Sequence, residues 1–232
     1  MADRVQIGRV RPVFVVNLAA LRQRILADTT FESAGELVPE IRLLLATTPR
    51  EILREAAIGH EPPGDPPYWA FAWPGGQALA RYILDNPRLV EDKRVLDVGA
   101  GSGIAAIAAK RAGADLSTAN DIDPLAAAVA DLNAEGNGVQ VAVCSQDLLD
   151  GEAVADLLII GDLVYEPLLE QRVAAFLRGA TARGIPVLFG DRSTSRLPSL
   201  PFRQVAQYDT IVAPPLEDGW VEVARVWQLD PA

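Results

Sequence analysis

Three carboxylates and a run of glycines have the types and spacing to do chemistry in this chain. In Asp97-Val98-Gly99-Ala100-Gly101-Ser102-Gly103 the glycines recur at every second position, starting two residues after an aspartate. Glycines so spaced let a ligand approach the backbone, and the first-turn amides of a helix that follows have no helical partners. A dinucleotide fingerprint would place Gly or Ala three positions after its second glycine, and Ile104 stands there instead. Asp97 would repel a diphosphate and suits a ligand of positive charge. Asp121, 20 residues beyond Gly101, holds the place from which an acid at the end of a second strand accepts ribose hydroxyls. Asp162 and Tyr165 stand three apart after an apolar run, at the end of an expected strand, where parallel sheets place their chemistry. Tyr68, Trp69, Phe71 and Trp73 put four of the chain's fourteen aromatic rings within six residues, among prolines and glycines. Irregular backbone of that kind lines pockets as well as filling cores.

An open α/β sheet that binds ligands at its strand ends would position these groups. Residues 94–98 alternate and read as a strand, 99–103 as a tight turn, and 104–109 as a closely packed helix. Further strands are expected at 115–119, at 139–145 and at 156–160, the last unbroken in its apolar character, as in strands covered on both faces. A strand at 186–189 and a closing antiparallel pair at 202–213 and 220–228 bring the count to seven. Asp123 is expected to cap a helix that opens with Pro124 and stops at Gly136, with other helices at 77–84 and 168–178. Asp147, in the loop after the third strand, is placed to reach an adenine amino group. Upstream, helices at 17–26, 37–46 and 49–58 are expected to form an N-terminal extension. Glu61-Pro62-Pro63-Gly64-Asp65-Pro66-Pro67 reads as a strap. The expected division is 1–66 for extension and strap, and 67–232 for the α/β domain.

At 232 residues, half of them hydrophobic, the chain suits one well-buried domain plus an extension. A net charge of −10 argues against a nucleic-acid surface, which needs clustered Lys and Arg in excess; a basic protein partner suits it better. The single cysteine, Cys144, fits a reducing compartment and reads as a buried strand-end thiol rather than a nucleophile. His60 is the lone histidine and offers no metal constellation. No run of about 20 apolar residues is present, so neither a transmembrane helix nor a membrane partner is expected. A cytoplasmic monomer is the expected form. Five arginines against one acid in the first 25 residues faintly resemble a mitochondrial transit segment, which would mean the matrix for a eukaryotic source. Pro12 and the apolar run 13–16 favour an ordered extension.

The D-x-G-x-G-x-G arrangement of Asp97 to Gly103 resembles the first motif of the class I, seven-stranded methyltransferases. That resemblance implies S-adenosylmethionine, whose ammonium and sulfonium match an anionic strand end. Asp162-x-x-Tyr165 resembles the signature of the protein-methylating branch that acts mainly on lysine, and it lacks the Pro-Pro of the DNA and glutamine amide enzymes. Three segments resemble the electron transfer flavoprotein beta-subunit lysine methyltransferases: Leu37-Val38-Pro39-Glu40-Ile41-Arg42-Leu43, Pro67-Tyr68-Trp69-Ala70-Phe71-Ala72-Trp73-Pro74-Gly75-Gly76-Gln77, and Ala119-Asn120-Asp121-Ile122-Asp123-Pro124. The resemblance implies a protein-lysine N-methyltransferase for that beta subunit. Cofactor contacts would come from Trp73, Asp97, Gly99, Gly101, Gly103, Asp121, Ile122, Asp147 and Asp162, substrate contacts from Trp69 and Tyr165, and catalysis from Asp162 and Tyr165. Residues 190–198 depart from a Gly-Asp-Pro-x-Arg pattern, with Arg192 in place of the proline and Thr194 in place of the arginine. Two other functions stay open at this point: N-methylation of a small nicotinamide-like molecule, and cofactor binding without catalysis.

Overall fold

A computed structural model of the chain describes residues 29–46, 67–165, 167–192, 199–211 and 221–231, together with positions 23, 25, 26 and 197. The helix expected at 49–58, most of that at 17–26, the strap before Pro67, His60 and Thr194 lie outside these residues. The helix expected at 37–46 is not formed. Thr29–Ser33 (β1) and Arg42–Ala46 (β2) make an antiparallel hairpin, in register from Thr29 opposite Ala46 to Ser33 opposite Arg42. Its apolar residues at 37, 38, 41 and 43–45 satisfy helical spacing as well. The strand wins because both its faces are covered, Leu43 by the main core and Leu44 by a cluster with Ile25, Trp69 and Phe71. The described part of the extension therefore contains this β-hairpin where a helix was expected at 37–46, while positions 23, 25 and 26 are helical, as expected for 17–26.

The main sheet comprises β3 (Arg94–Val98), β4 (Leu116–Asn120), β5 (Ala142–Cys144), β6 (Leu157–Gly161), β7 (Val187–Asp191), β8 (Arg203–Ile211) and β9 (Val221–Leu229). Their order is β5-β4-β3-β6-β7-β9-β8, and β9 alone runs antiparallel to its two neighbours. The seven expected strands are present. Alternation within them sorts the core into two layers. Val95 of β3 and Leu157 and Ile159 of β6 face one layer, which α1 (Pro74–Asp85) and α2 (Ile104–Arg111) cover. Leu96, Val98, Leu158 and Ile160 face the other, under α4 (Pro167–Ala182). From β3 the chain winds outward through β4 and β5, then returns to β6 on the other side of β3. That reversal opens a crevice at the carboxyl ends of β3 and β6, where such sheets bind ligands.

α3 (Pro124–Gly136) starts as expected, with the Asp123 carboxylate accepting from the Leu125 amide at 2.8 Å. α1 begins three residues earlier than expected, because Pro74 is pre-set for the first helical position. β5 is shorter than the 139–145 run. It lies at the sheet edge with Val143 41% exposed, and Cys144 is only partly buried rather than enclosed. Among the described residues no helix is long and apolar enough to cross a membrane.

Candidate active site

A cavity of about 530 Å³ occupies the crevice, lined by the glycine turn, the strand-end acids and the aromatic segment. That volume suits a nucleoside-sized ligand with room for a reacting side chain. The turn is shaped by Gly103, at φ 78°, where an added Cβ would lie 2.9 Å from the Ala130 Cβ on α3. Beneath it, Asp97 is 2% exposed and accepts from the Ala106 amide at 3.1 Å, so the strand-end acid also caps the third residue of α2. Burial pushes its pKa up to about 7, against the pull of that amide, and neighbouring Asp121 pushes the same way. Asp121 grips the turn from β4: one oxygen accepts from Gly101 N at 2.9 Å, the other from Asp123 N at 3.0 Å. Burial raises its pKa as well. Asp97 and Asp121 thus meet the turn, and Ile122, 65% exposed, lines the rim beside them.

Asp162 leaves β6 at φ 50°, a left-handed conformation that aspartate tolerates better than most residues. Its amide donates to Gly190 O at 2.9 Å, and its carboxylate accepts from Gly76 N at 3.0 Å. The Asp162 side chain therefore caps α1, 86 residues earlier in the chain. It does not cap the helix that follows it. Burial and the charge of Asp191 push its pKa up to about 7, while the Gly76 and Gly75 amides and Arg192 pull it down. The tandem glycines make this approach possible. A Cβ on Gly75 would overlap the Gly190 carbonyl and stand 2.7 Å from Asp162 Oδ2. Gly75→Ala is therefore expected to push α1 off the strand ends, at about 1–3 kcal/mol of stability. The checks are a melting temperature lowered by several degrees and turnover reduced by more than the loss of folded protein explains.

The aromatic segment divides between core and cavity. Trp69 and Phe71 are 8% and 4% exposed and pack with Leu44 and Val129 of α3, so the core reading holds for these two, although both also line the cavity. Tyr68 lies at the mouth, its ring 5.4 Å from Tyr165 and 6.0 Å from Trp73, and the Trp73 indole donates to Tyr68 O at 2.7 Å. Asp147 also lines the cavity, but Arg172 of α4 holds both its oxygens at 2.9 Å and keeps its pKa low. An adenine amino group would have to share it with that guanidinium. Sequence reasoning missed Arg172, and it missed Asp191 and Arg192, which line the cavity beside Asp162. The expected Gly190-Asp191 pattern pointed at the right loop without giving either residue a role.

A seven-stranded sheet with β9 inserted antiparallel, a glycine turn after β3 and acids in the loops that follow β4, β5 and β6 define a class I methyltransferase. The model of the ribosomal protein L11 methyltransferase (PrmA) family matches residues 78–177. The electron transfer flavoprotein beta subunit lysine methyltransferase of Mus musculus is 36% identical over 211 residues, covering 88% of this chain and 82% of its own. The Homo sapiens protein of the same name is 37% identical over 212 residues, with coverage of 88% and 80%. The solved structure of TrmN from Thermus thermophilus superposes with a TM-score of 0.51 at 22% identity, over 66% of this chain and 48% of its own, a likeness of fold alone. The chain belongs to the electron transfer flavoprotein beta subunit lysine methyltransferase family.

Proposed function

We propose that this protein transfers methyl groups from S-adenosylmethionine to lysine side chains of the electron transfer flavoprotein beta subunit. The observation that carries this reading is the Asp162 carboxylate, fixed by α1 amides at the cavity wall, with the Tyr68, Trp73 and Tyr165 rings grouped at the mouth. Family membership supports the same substrate class. When bound, S-adenosylmethionine supplies an electrophilic methyl group on a positively charged sulfur. The residues that fit it are Asp121 for the ribose hydroxyls, Asp97 and the glycine turn for the cationic amino-acid end, and Ile122 and Asp147 for the adenine.

A free lysine has a pKa of about 10.4, so about one in a thousand is neutral near pH 7.4, and only the neutral amine is a nucleophile. The aromatic mouth strips water from the lysine stem, which lowers that pKa, while ring faces still attract the ammonium as it enters. Asp162 accepts one N–H of the amine and so aims its lone pair down the cavity. Tyr165 packs along the stem. In-line transfer depends on such alignment, and positioning supplies most of the acceleration. A net charge of −10 favours a target with exposed lysines and predicts encounter rates that fall with added salt. We place the protein in the cytoplasm, or in the mitochondrial matrix if its source is eukaryotic, acting as a monomer.

The test is incubation of the purified protein with methyl-tritiated cofactor and purified electron transfer flavoprotein, followed by mass mapping. Label on lysines of the beta subunit is the expected result. Label only on other proteins of an extract would remove the substrate assignment. Turnover of free heterocyclic amines without any protein acceptor would replace it by the small-molecule reading.

A further inference from the structure

Asn133 sits in the last turn of α3 with no exposed surface, where a side-chain amide is a poor choice for helix formation. Both ends of that amide are used, as a buried amide requires. Its Oδ1 accepts from the Leu44 amide of β2 at 2.8 Å. Its Nδ2 donates to the carbonyl of Ser102, inside the glycine turn, at 2.9 Å. One side chain therefore joins the N-terminal hairpin to the turn across 89 residues of sequence on one side and 31 on the other. The bond to Ser102 has a further consequence through the planar peptide. With the Ser102 carbonyl drawn toward α3, the Gly103 N–H must point the opposite way, and it donates to Ala100 O at 2.8 Å. Ala130, one turn earlier on the same face of α3, abuts Gly103. α3 thus shapes the turn twice, by contact and by hydrogen bond.

We propose that Asn133 is a positioning residue of the methyl-donor site: it locks the Ser102–Gly103 peptide of the glycine turn to strand β2, which makes the β1–β2 hairpin a working part of that site. This rests on the reading of the crevice as the S-adenosylmethionine site. A neighbouring residue separates positioning from plain structural support. Asn137, the residue just past the end of α3, clamps Arg42 by accepting from its amide at 3.0 Å and donating to its carbonyl at 2.6 Å, and no hydrogen bond joins its side chain to the glycine turn.

The experiment compares Asn133→Asp with Asn137→Ala, using calorimetric titration with S-adenosylhomocysteine and steady-state kinetics. Asn133→Asp keeps size and the acceptor for Leu44 but presents an oxygen to the Ser102 carbonyl. It is expected to raise the Kd for S-adenosylhomocysteine and the KM for S-adenosylmethionine about tenfold, with kcat at saturating cofactor within about threefold of wild type. Asn137→Ala is expected to lower the melting temperature and leave that Kd within about twofold. A second measurement needs no variant. Hydrogen exchange of the wild-type chain is expected to slow at Leu44 and Gly103 together when S-adenosylhomocysteine is added, while Arg42 is unchanged. Slowing at Gly103 without Leu44, or an Asn133→Asp protein that binds as wild type does, overturns the inference and leaves the proposed function standing. Wild-type protein that takes up no S-adenosylhomocysteine overturns both.

Discussion

Asp162→Asn is expected to bind S-adenosylhomocysteine within about threefold of wild type while methyl transfer to the protein substrate falls by about a hundredfold to a thousandfold. The asparagine keeps an oxygen for the Gly76 amide, which the carboxylate meets at 3.0 Å, so the seat of α1 against β6 and β7 survives. What disappears is the negative charge facing the incoming ammonium and the acceptor that aims the neutral amine. The loss should therefore lie in kcat, with a smaller rise in KM for the protein substrate. Asp162→Ala adds the loss of the α1 cap, worth about 1 kcal/mol, and should lower the melting temperature besides. If the asparagine variant turns over normally, Asp162 is a helix cap and nothing more. In that case the amine must be aimed by another group, and Asp191, beside it at the end of β7, is the residue to replace next.

The parts of this site that are local in sequence were legible in it, and the parts made by long-range backbone contact were not. The glycine turn, the strand before it and the Asp123 cap each announce themselves within a few residues, because turn conformation and helix capping are short-range effects. The unbroken apolar run of β6 announced a strand covered on both faces. The hairpin did not, since an apolar stretch spaced like 37–45 fits either period, and what decides for strand is burial on two sides against partners about ninety residues away. Asp162 was legible as a strand-end acid, but its bond to Gly76 was not, because nothing near residue 162 indicates which helix will end there. Gly75-Gly76 directly after a proline was the available signal: two glycines in a first helical turn weaken the helix unless another backbone must come close. Asn133 carried a similar signal, a polar amide on the inward face of an alanine-rich helix.

Cofactor affinity is expected to rise with pH between about 5.5 and 7, and Asp97 is the main reason. Burial beneath the glycine turn pushes its carboxyl up to about 7, so near neutrality the empty site holds a proton there much of the time. A cationic ligand favours the carboxylate, lowers that pKa on binding and expels the proton. Below 7 the association constant should therefore climb by up to about tenfold per pH unit for each proton released, then level off. Above about 7.7 the cofactor's own amine begins to lose its charge and closes the window. Asp121, whose pKa burial also raises, adds to the slope. Asp97→Asn should flatten most of it and weaken binding by about tenfold at pH 7. 5′-Methylthioadenosine, which has neither the sulfonium nor the charged tail, should bind with nearly the same affinity across the range. The folded-state shift fixes the sign for stability too. The native chain keeps a proton that the unfolded chain releases near 3.8, so this group's contribution falls as pH rises from about 4 to about 7. The cofactor restores what is lost, and its thermal stabilisation should be larger at pH 7 than at pH 5.5. An affinity for S-adenosylmethionine that is flat or falling over that range would mean that the strand-end acid does not meet the cation, and that Asp97 serves only to cap α2.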